Sequence, residues 1–268
     1  MSRSEELRAL AQRVADGLPP EVVEVVLTGS VSRGVADDVS DIELLCVTER
    51  SLSLDEAFEL ARRAGLEERD SWGDSATPTR RVFGYLDGQP VETIWWSREL
   101  AEELFSSGGS AEALANGVAL RTSGLLAGWQ ERLDDYPEAL AGERIEKATE
   151  RWGGFAPEGL LTIVRPDSTL ARTEWLVDSA QRVLTIVFAL NRVHPPTAKR
   201  LSERVEPLAI KPERLAERIE ETLAEPDPRT ALRLMTELQL DTVRLAPDGP
   251  NVVRARRWLA EGLAVLGE

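Results

Sequence analysis

Hydrophobic and polar residues follow two different patterns along the chain, and the change between them divides it into two halves. In the first half, short runs rich in β-branched residues lie between polar turns, a pattern typical of buried strands. The pattern predicts strands at 22–27, 41–47, 80–86 and 90–96. Asp87-Gly88, between the last two runs, is typical of a two-residue hairpin turn. Helices are expected from Ser4, as the cap, to Gly17 and over 55–64.

From Ser97 onward strand patterns almost disappear, and apolar positions recur at helical spacing. The pattern predicts helices at 97–106, 110–118, 137–152, 169–193, 212–224, 228–245 and 250–266. We therefore predict an α+β fold, in which a small mixed sheet with flanking helices (residues 1–135) is followed by an all-helical domain (136–268).

Composition narrows the classes of site that the chain can build. Lys and Arg number 32 against 47 Asp and Glu, so the net charge of −15 repels nucleic acid and anionic lipid. Cys46 and His194 are the single residues of their types, which excludes an intrachain disulfide, a thiolate cluster and a multi-histidine zinc site. The N-terminus lacks an apolar signal core, and the most apolar predicted helix carries several charges. We therefore expect a cytoplasmic protein without a membrane span.

Candidate chemistry concentrates where the first strand ends and the second begins. Gly29 allows tight backbone approach, Ser30 offers a hydroxyl and an N–H, and a helix starting there would direct its positive end at an anion. Asp41 and Glu43 are two residues apart, so both side chains of a strand face the same side. Two such carboxylates repel each other unless a cation holds them, and hard oxygen ligands suit magnesium. The segment therefore predicts a phosphate-binding site beside a magnesium site.

Glu92 is the candidate for a third carboxylate ligand. It lies in the middle of a predicted strand whose neighbours alternate with apolar residues, where a solvated glutamate is not expected. The alternative is a glutamate on the exposed face of an edge strand. Asp87 competes as the third ligand, but the hairpin turn already accounts for it.

The segment resembles the signature of the DNA polymerase beta-like nucleotidyltransferase superfamily, a Gly-Ser turn followed by a strand with Asp, a hydrophobic residue, and Asp or Glu. The match lies at Gly29, Ser30, Asp41 and Glu43, with Glu43 where Asp is frequent in the family. Arg33-Gly34 follows as in small bacterial members. More weakly, the helical half resembles the C-terminal domain of bacterial aminoglycoside-nucleotidyltransferase-like proteins through Phe188-Ala189-Leu190-Asn191-Arg192 and Lys199.

The resemblance implies transfer of a nucleoside monophosphate from an NTP, foremost ATP, to an acceptor hydroxyl with release of pyrophosphate. It also assigns roles to the site residues. Ser30 and the Gly29 turn would bind the β and γ phosphates, and Arg33 and Lys199 are candidate phosphate clamps. Asp41 and Glu43 would bridge two Mg²⁺ ions and Glu92 would hold the second ion, with Glu92 also a candidate general base.

Three hypotheses remain for what the chain acts on. The first is a small cationic metabolite or an aminoglycoside-like antibiotic, which the acidic composition favours. Glu174 and Asp178 lie four apart on one helix face and are candidates for binding this acceptor, the alternative being a solvated face near Arg182. The second is a toxin-type enzyme that modifies tRNA or protein, and the third a member that binds nucleotide without turnover. The sequence does not indicate an oligomeric state.

Overall fold

The structure is a computed structural model that describes residues 2–73, 78–106, 111–153, 157–196 and 199–267. The chain folds into two compact units, Met1–Asp135 and Tyr136–Glu268. The first unit contains a six-stranded mixed sheet and the second is helical, so the predicted α+β fold class is confirmed.

The sheet of the first unit has the strand order β3-β4-β5-β2-β1-β6. Its strands are β1 (Val22–Thr28), β2 (Ile42–Thr48), β3 (Glu67–Trp72), β4 (Arg80–Leu86), β5 (Gln89–Ser97) and β6 (Val118–Arg121). Strands β2 and β5 are parallel, and the other neighbouring pairs are antiparallel. The hairpin predicted at Asp87-Gly88 is confirmed, since both residues have positive φ and join β4 to β5. The parallel pair places the N-terminal ends of β2 and β5 side by side, near the end of β1.

Helices of the first unit cover both faces of this sheet. They are α1 (Arg3–Gly17), α2 (Gly29–Ser32), α3 (Leu54–Arg63), α4 (Arg98–Ser106), α5 (Ala111–Ala115) and α6 (Leu125–Asp134). Alternate strand residues divide between two apolar clusters because successive side chains of a strand face opposite sides. Leu44 and Cys46 belong to the cluster that contains α1 and α3, and Leu45 and Val47 to the cluster that contains α4 to α6. Burial raises the pKa of the Cys46 thiol, which makes this cysteine a packing residue.

The second unit has one large apolar core built from helices. They are α7 (Glu138–Thr149), α8 (Thr169–Leu190), α9 (Leu201–Val205), α10 (Leu215–Ala224), α11 (Pro228–Leu245) and α12 (Pro250–Gly267), with 3₁₀ turns at Glu150–Gly153 and Pro157–Thr162. Helix α11 begins at a capping Asp227, whose side chain accepts from the Thr230 N–H at 2.8 Å. Among the described residues, no helix combines the length and apolarity needed to cross a bilayer.

Several elements differ from the sequence prediction. The predicted helix over 110–118 is wrong at its end: α5 stops at Ala115, and Val118 begins the edge strand β6. A Cβ added at Gly117 would lie 2.7 Å from Val26 Cγ1, so glycine there permits the close approach of β6 to β1. Strands β3 and β6 and helices α6 and α9 were not predicted. Strand β3 is polar and β6 and α9 are short, whereas α6 contains Gly128, a weak helix former.

The start of α1 also differs. The capping residue is Ser2, whose hydroxyl accepts from the Glu5 N–H while Glu5 accepts from the Ser2 N–H, forming a capping box. Ser4, the predicted cap, is buried inside the first turn and its Oγ accepts from the Ala36 N–H at 2.9 Å. The Ser4 hydroxyl therefore ties α1 to the loop that precedes Asp41.

Candidate nucleotide site

The turn after β1 brings the backbone of Gly29 against the carboxylate of Glu43. Gly29 has φ +71°, in the left-handed region that favours glycine. A Cβ added there would overlap Glu43 Oε2 and lie 2.9 Å from Glu43 Cδ. The contact follows from the antiparallel pairing of β1 and β2, which sets Thr28 opposite Glu43. The Glu43 carboxylate therefore occupies the space that a side chain at position 29 would fill.

Glu43 and Glu92 lie side by side on one face of the sheet. They are directly paired in the parallel register of β2 and β5, and adjacent strands are about 4.8 Å apart. Both side chains project on the face of Leu45 and Ile94, which belongs to the cluster formed with α4 to α6. Glu92 is 8% exposed. The alternative of an exposed-face glutamate on an edge strand is therefore wrong, since β5 is flanked by β2 and β4.

On this shared face, the two carboxylates lean toward opposite edges of the sheet. Arg81 Nη1, on β4, donates to Glu92 Oε1 at 2.5 Å. This pairing lies diagonally across the β4–β5 hairpin, where Phe83 is opposite Glu92. Glu43, by contrast, leans toward Gly29 at the end of β1. Strands β2 and β5 lie between β1 and β4, so the lean of each carboxylate increases the separation of the two charges.

Asp41 lies just before β2 and its side chain is exposed. Its position depends on Ser40, whose buried carbonyl accepts from Gln89 Nε2 at 2.8 Å. Ser40 Oγ in turn donates to Asp37 Oδ1 at 2.8 Å, which closes the preceding loop. The first residue of β5 therefore anchors the entry to β2.

Asp41 and Glu92 line one groove beside the β4–β5 hairpin. Its volume is about 80 Å³, and it is also lined by Arg69 and Tyr85. Arg69 Nη1 donates to Tyr85 Oη at 2.9 Å, so the lining includes a guanidinium that is paired with a phenol. The groove is therefore lined by both carboxylates and hydrogen-bond donors.

The donor set suits a hard divalent cation. Carboxylate oxygens are the ligands that Mg²⁺ prefers, and Glu43 and Glu92 present them in register from two strands. In the described parts of the chain, no three acidic, histidine or cysteine side chains are gathered closely enough to hold a metal. The backbone therefore places the two carboxylates side by side, with Glu92 paired with Arg81 and Glu43 beside Gly29.

The predicted phosphate-binding site lies at α2, which is a single helical turn. Helix α2 has four residues, so individual N–H groups rather than a long helix dipole face this position. Ser30 is half-buried, and its carbonyl accepts from the Val35 N–H at 3.1 Å. Arg33 Nη1 lies 3.8 Å from Glu112 Oε1 of α5, and both side chains are largely buried. Arg33 would have to leave this partner to bind a phosphate.

The other predicted site residues lie in the helical unit or in the hairpin. Lys199 is exposed beside the start of α9, and Glu174 is exposed on α8. Asp178 Oδ2 accepts from Arg182 Nε at 2.6 Å within the same helix, so the predicted proximity of Arg182 is confirmed. Asp87 pairs with Arg13 across the surface, which agrees with its interpretation as a turn residue.

Three residues of the site were missed by sequence analysis. Arg81 and Gln89 could have been found from the predicted hairpin. A two-residue turn pairs Leu86 with Gln89, and this register places Arg81 diagonally across from Glu92. Arg69 lies on β3, which was not predicted, so no sequence pattern would have placed it in the groove.

Comparison with known proteins gives an independent assignment. Residues 7–75 match the family model described as "Nucleotidyltransferase domain", a range that contains Gly29, Asp41 and Glu43 and ends before Glu92. Among solved structures, a nucleotidyltransferase-like protein from Exiguobacterium sibiricum 255-15 is 11% identical, with a TM-score of 0.41 over 98% of this chain and 88% of that chain. No curated protein matches the sequence significantly. Residues 7–75 of the first unit therefore match a nucleotidyltransferase domain, in agreement with the resemblance of this segment to the DNA polymerase beta-like superfamily.

Proposed function

We propose that the protein transfers a nucleoside monophosphate from an NTP, foremost ATP, to the hydroxyl of a small cationic acceptor and releases pyrophosphate. The observation that carries the proposal is the register of Glu43 with Glu92 beside the Gly29 turn, within a chain that contains a nucleotidyltransferase domain. Two acidic side chains in register on one sheet face repel each other, and a bound cation would offset this repulsion.

In this proposal Asp41, Glu43 and Glu92 hold Mg²⁺, two ions when substrates are bound. The metal supplies charge neutralisation on the triphosphate and lowers the pKa of the acceptor hydroxyl. Gly29 and Ser30 bind the β and γ phosphates through backbone N–H groups and the Ser30 hydroxyl, and Arg33 and Lys199 are candidate clamps. Glu92, the least exposed carboxylate of the three, is the candidate to accept the hydroxyl proton.

We assign selection of the acceptor to the helical unit, with Glu174 and Asp178 as the contacting residues. The net charge of −15 favours a cationic acceptor, because the field of the protein attracts cations to its surface. Glu174 is the stronger of the two candidates, since Asp178 already has a guanidinium partner on the same helix.

The proposal is tested by incubating the protein with Mg²⁺ and each NTP against a panel of aminoglycosides and cationic metabolites. Mass spectrometry should detect an acceptor that carries one added nucleoside monophosphate, with an equal amount of pyrophosphate. An adduct on a protein or on tRNA instead would assign the toxin-type reaction. Triphosphate binding without pyrophosphate release against any acceptor class would assign the non-catalytic alternative.

Gly29→Ala should lower transfer about a hundredfold, because the new methyl group displaces the Glu43 carboxylate and misplaced catalytic groups cost roughly that factor. Gly34→Ala is the matched control: Gly34 has φ +77°, but a Cβ added there meets no atom within 4 Å. Both variants bear similar backbone strain, so their melting temperatures should fall by similar amounts. Equal activity of the two variants would show that the Gly29–Glu43 contact does not matter for transfer.

Glu174→Gln should raise the KM for a cationic acceptor several-fold, because the variant removes one carboxylate without changing volume. Calorimetry with a non-hydrolysable triphosphate and Mg²⁺ should show little change in nucleotide affinity. Asp178→Asn should give a smaller effect in the same direction. Loss of nucleotide affinity equal to the loss of acceptor use would argue against the division of labour between the units.

A further inference from the structure

We propose that Arg81 is a positioning residue that competes with the divalent cation for Glu92 and thereby sets how much cation the site requires. The inference rests on the proposed function of Glu92 as a metal ligand. It goes beyond that function because Arg81 lies on β4, outside the segment that matches the nucleotidyltransferase domain.

The Arg81–Glu92 pair is a charge-assisted contact that is partly shielded from water. Arg81 Nη1 and Glu92 Oε1 are 2.5 Å apart, and the Glu92 side chain is 10% exposed while that of Arg81 is 40% exposed. A charge-assisted hydrogen bond to a carboxylate shielded from water is stronger than an exposed ion pair. Glu92 therefore has a persistent cationic partner before any metal binds.

Arg81 and a cation shared with Glu43 would draw Glu92 in different directions. Glu43 and Glu92 are directly paired across two strands, so a cation held by both side chains must lie between β2 and β5. Arg81 draws Glu92 the other way, toward β4. Arg81 donates to Glu92 Oε1, so a cation between the strands would either bind through Oε2 alone or displace Arg81 from Oε1. In both cases the guanidinium and the cation compete for one carboxylate.

The Arg81–Glu92 pair changes the free energy of cation binding. When the competent state of a site is only partly populated, its apparent affinity falls by the populated fraction. The Arg81 pair also offsets the repulsion between two adjacent carboxylates while no cation is bound. Arg81 therefore stabilises the metal-free sheet and weakens cation binding by the same interaction.

The test is direct titration with Mn²⁺ alone, without NTP, following free Mn²⁺ by electron paramagnetic resonance. Arg81→Gln should lower the dissociation constant about five- to tenfold relative to wild type, because the competing charge is gone. Arg81→Lys keeps the charge and should stay within about threefold of wild type. Circular dichroism and melting temperatures show that each variant is folded.

Two controls separate direct competition from a general change of charge. Arg69→Gln removes a guanidinium that lines the same groove and donates to Tyr85 Oη, and it should change the dissociation constant less than about twofold. In the double variant Arg81→Gln/Glu92→Gln the gain should disappear, because it depends on Glu92.

Equal gains in Arg81→Gln and Arg69→Gln, or a gain that survives Glu92→Gln, would overturn the competition while leaving the metal site intact. Absence of Mn²⁺ binding by wild type and by every variant would instead remove Glu92 from the metal site, and both the proposed ligand set and this inference would fall. These outcomes distinguish failure of the inference alone from failure of the proposed function.

Discussion

Asp41→Asn and Glu43→Gln should each reduce nucleotidyl transfer at least about a thousandfold, a loss of roughly 4 kcal/mol of transition-state stabilisation. Each substitution removes the charge that would hold a metal and leaves side-chain volume unchanged. Glu43 has a second reason to be sensitive, because its carboxylate fills the space left by Gly29. The measurement is single-turnover pyrophosphate release at saturating NTP and Mg²⁺.

Asp38→Asn provides the control for this experiment. Asp38 is an exposed carboxylate in the same loop, and its loss should leave the rate within about twofold of wild type. Glu92→Gln should also reduce the rate, by a smaller factor if the remaining carboxylates still hold one ion. Near wild-type transfer by either Asp41→Asn or Glu43→Gln would mean that the cation is bound elsewhere.

Glu24→Ala should reduce the stability of the first unit by about 3 kcal/mol or more, because it removes a buried carboxylate that accepts several charge-assisted hydrogen bonds from the start of α6. Glu24 is 0% exposed on β1. Its carboxylate accepts from the Ser123 N–H at 2.6 Å, from the Ser123 and Thr122 hydroxyls at 3.0 Å each, and from the Leu126 N–H at 3.3 Å. These groups lie at the start of α6, which the Glu24 side chain caps from a distant strand.

Hydrogen exchange resolved to the amides of β1 and α6 measures this effect without assuming that the two units unfold together. Glu21→Ala is the control, since Glu21 is exposed just before the same strand and its loss should cost less than about 0.5 kcal/mol. A loss below about 1 kcal/mol in Glu24→Ala would show that water replaces the carboxylate at the helix start.

Local patterns explain the elements that could be predicted from the sequence. The β-branched runs of β1 and β2 and the Asp-Gly turn at 87–88 need only their own residues to be recognised. The same holds for the long helices α8, α11 and α12, whose apolar faces repeat over several turns. The short edge strand Val118–Arg121 has too few residues for a reliable period, and it depends on pairing with β1.

The candidate site also has parts that could be predicted from the sequence and parts that could not. The spacing of Asp41 and Glu43 places both on one side of an extended segment, and alternation along β5 identifies Glu92 as unusual. The side-chain partners do not follow from spacing. Glu24 caps a helix about a hundred residues away along the chain, and the Arg33–Glu112 pair joins α2 to α5, so both depend on the assembled tertiary structure.

The parallel pairing of β2 with β5 has a consequence for how this protein can change in length. The described residues between these strands contain α3, β3 and β4, and insertions in the loops at 49–53 and 64–66 would leave the Glu43–Glu92 pairing intact. One residue added between Gln89 and Glu92 would instead rotate Glu92 to the opposite face of the sheet, among the apolar residues beneath α1 and α3. Length variation in homologues should therefore concentrate in the crossover and spare the first four residues of β5.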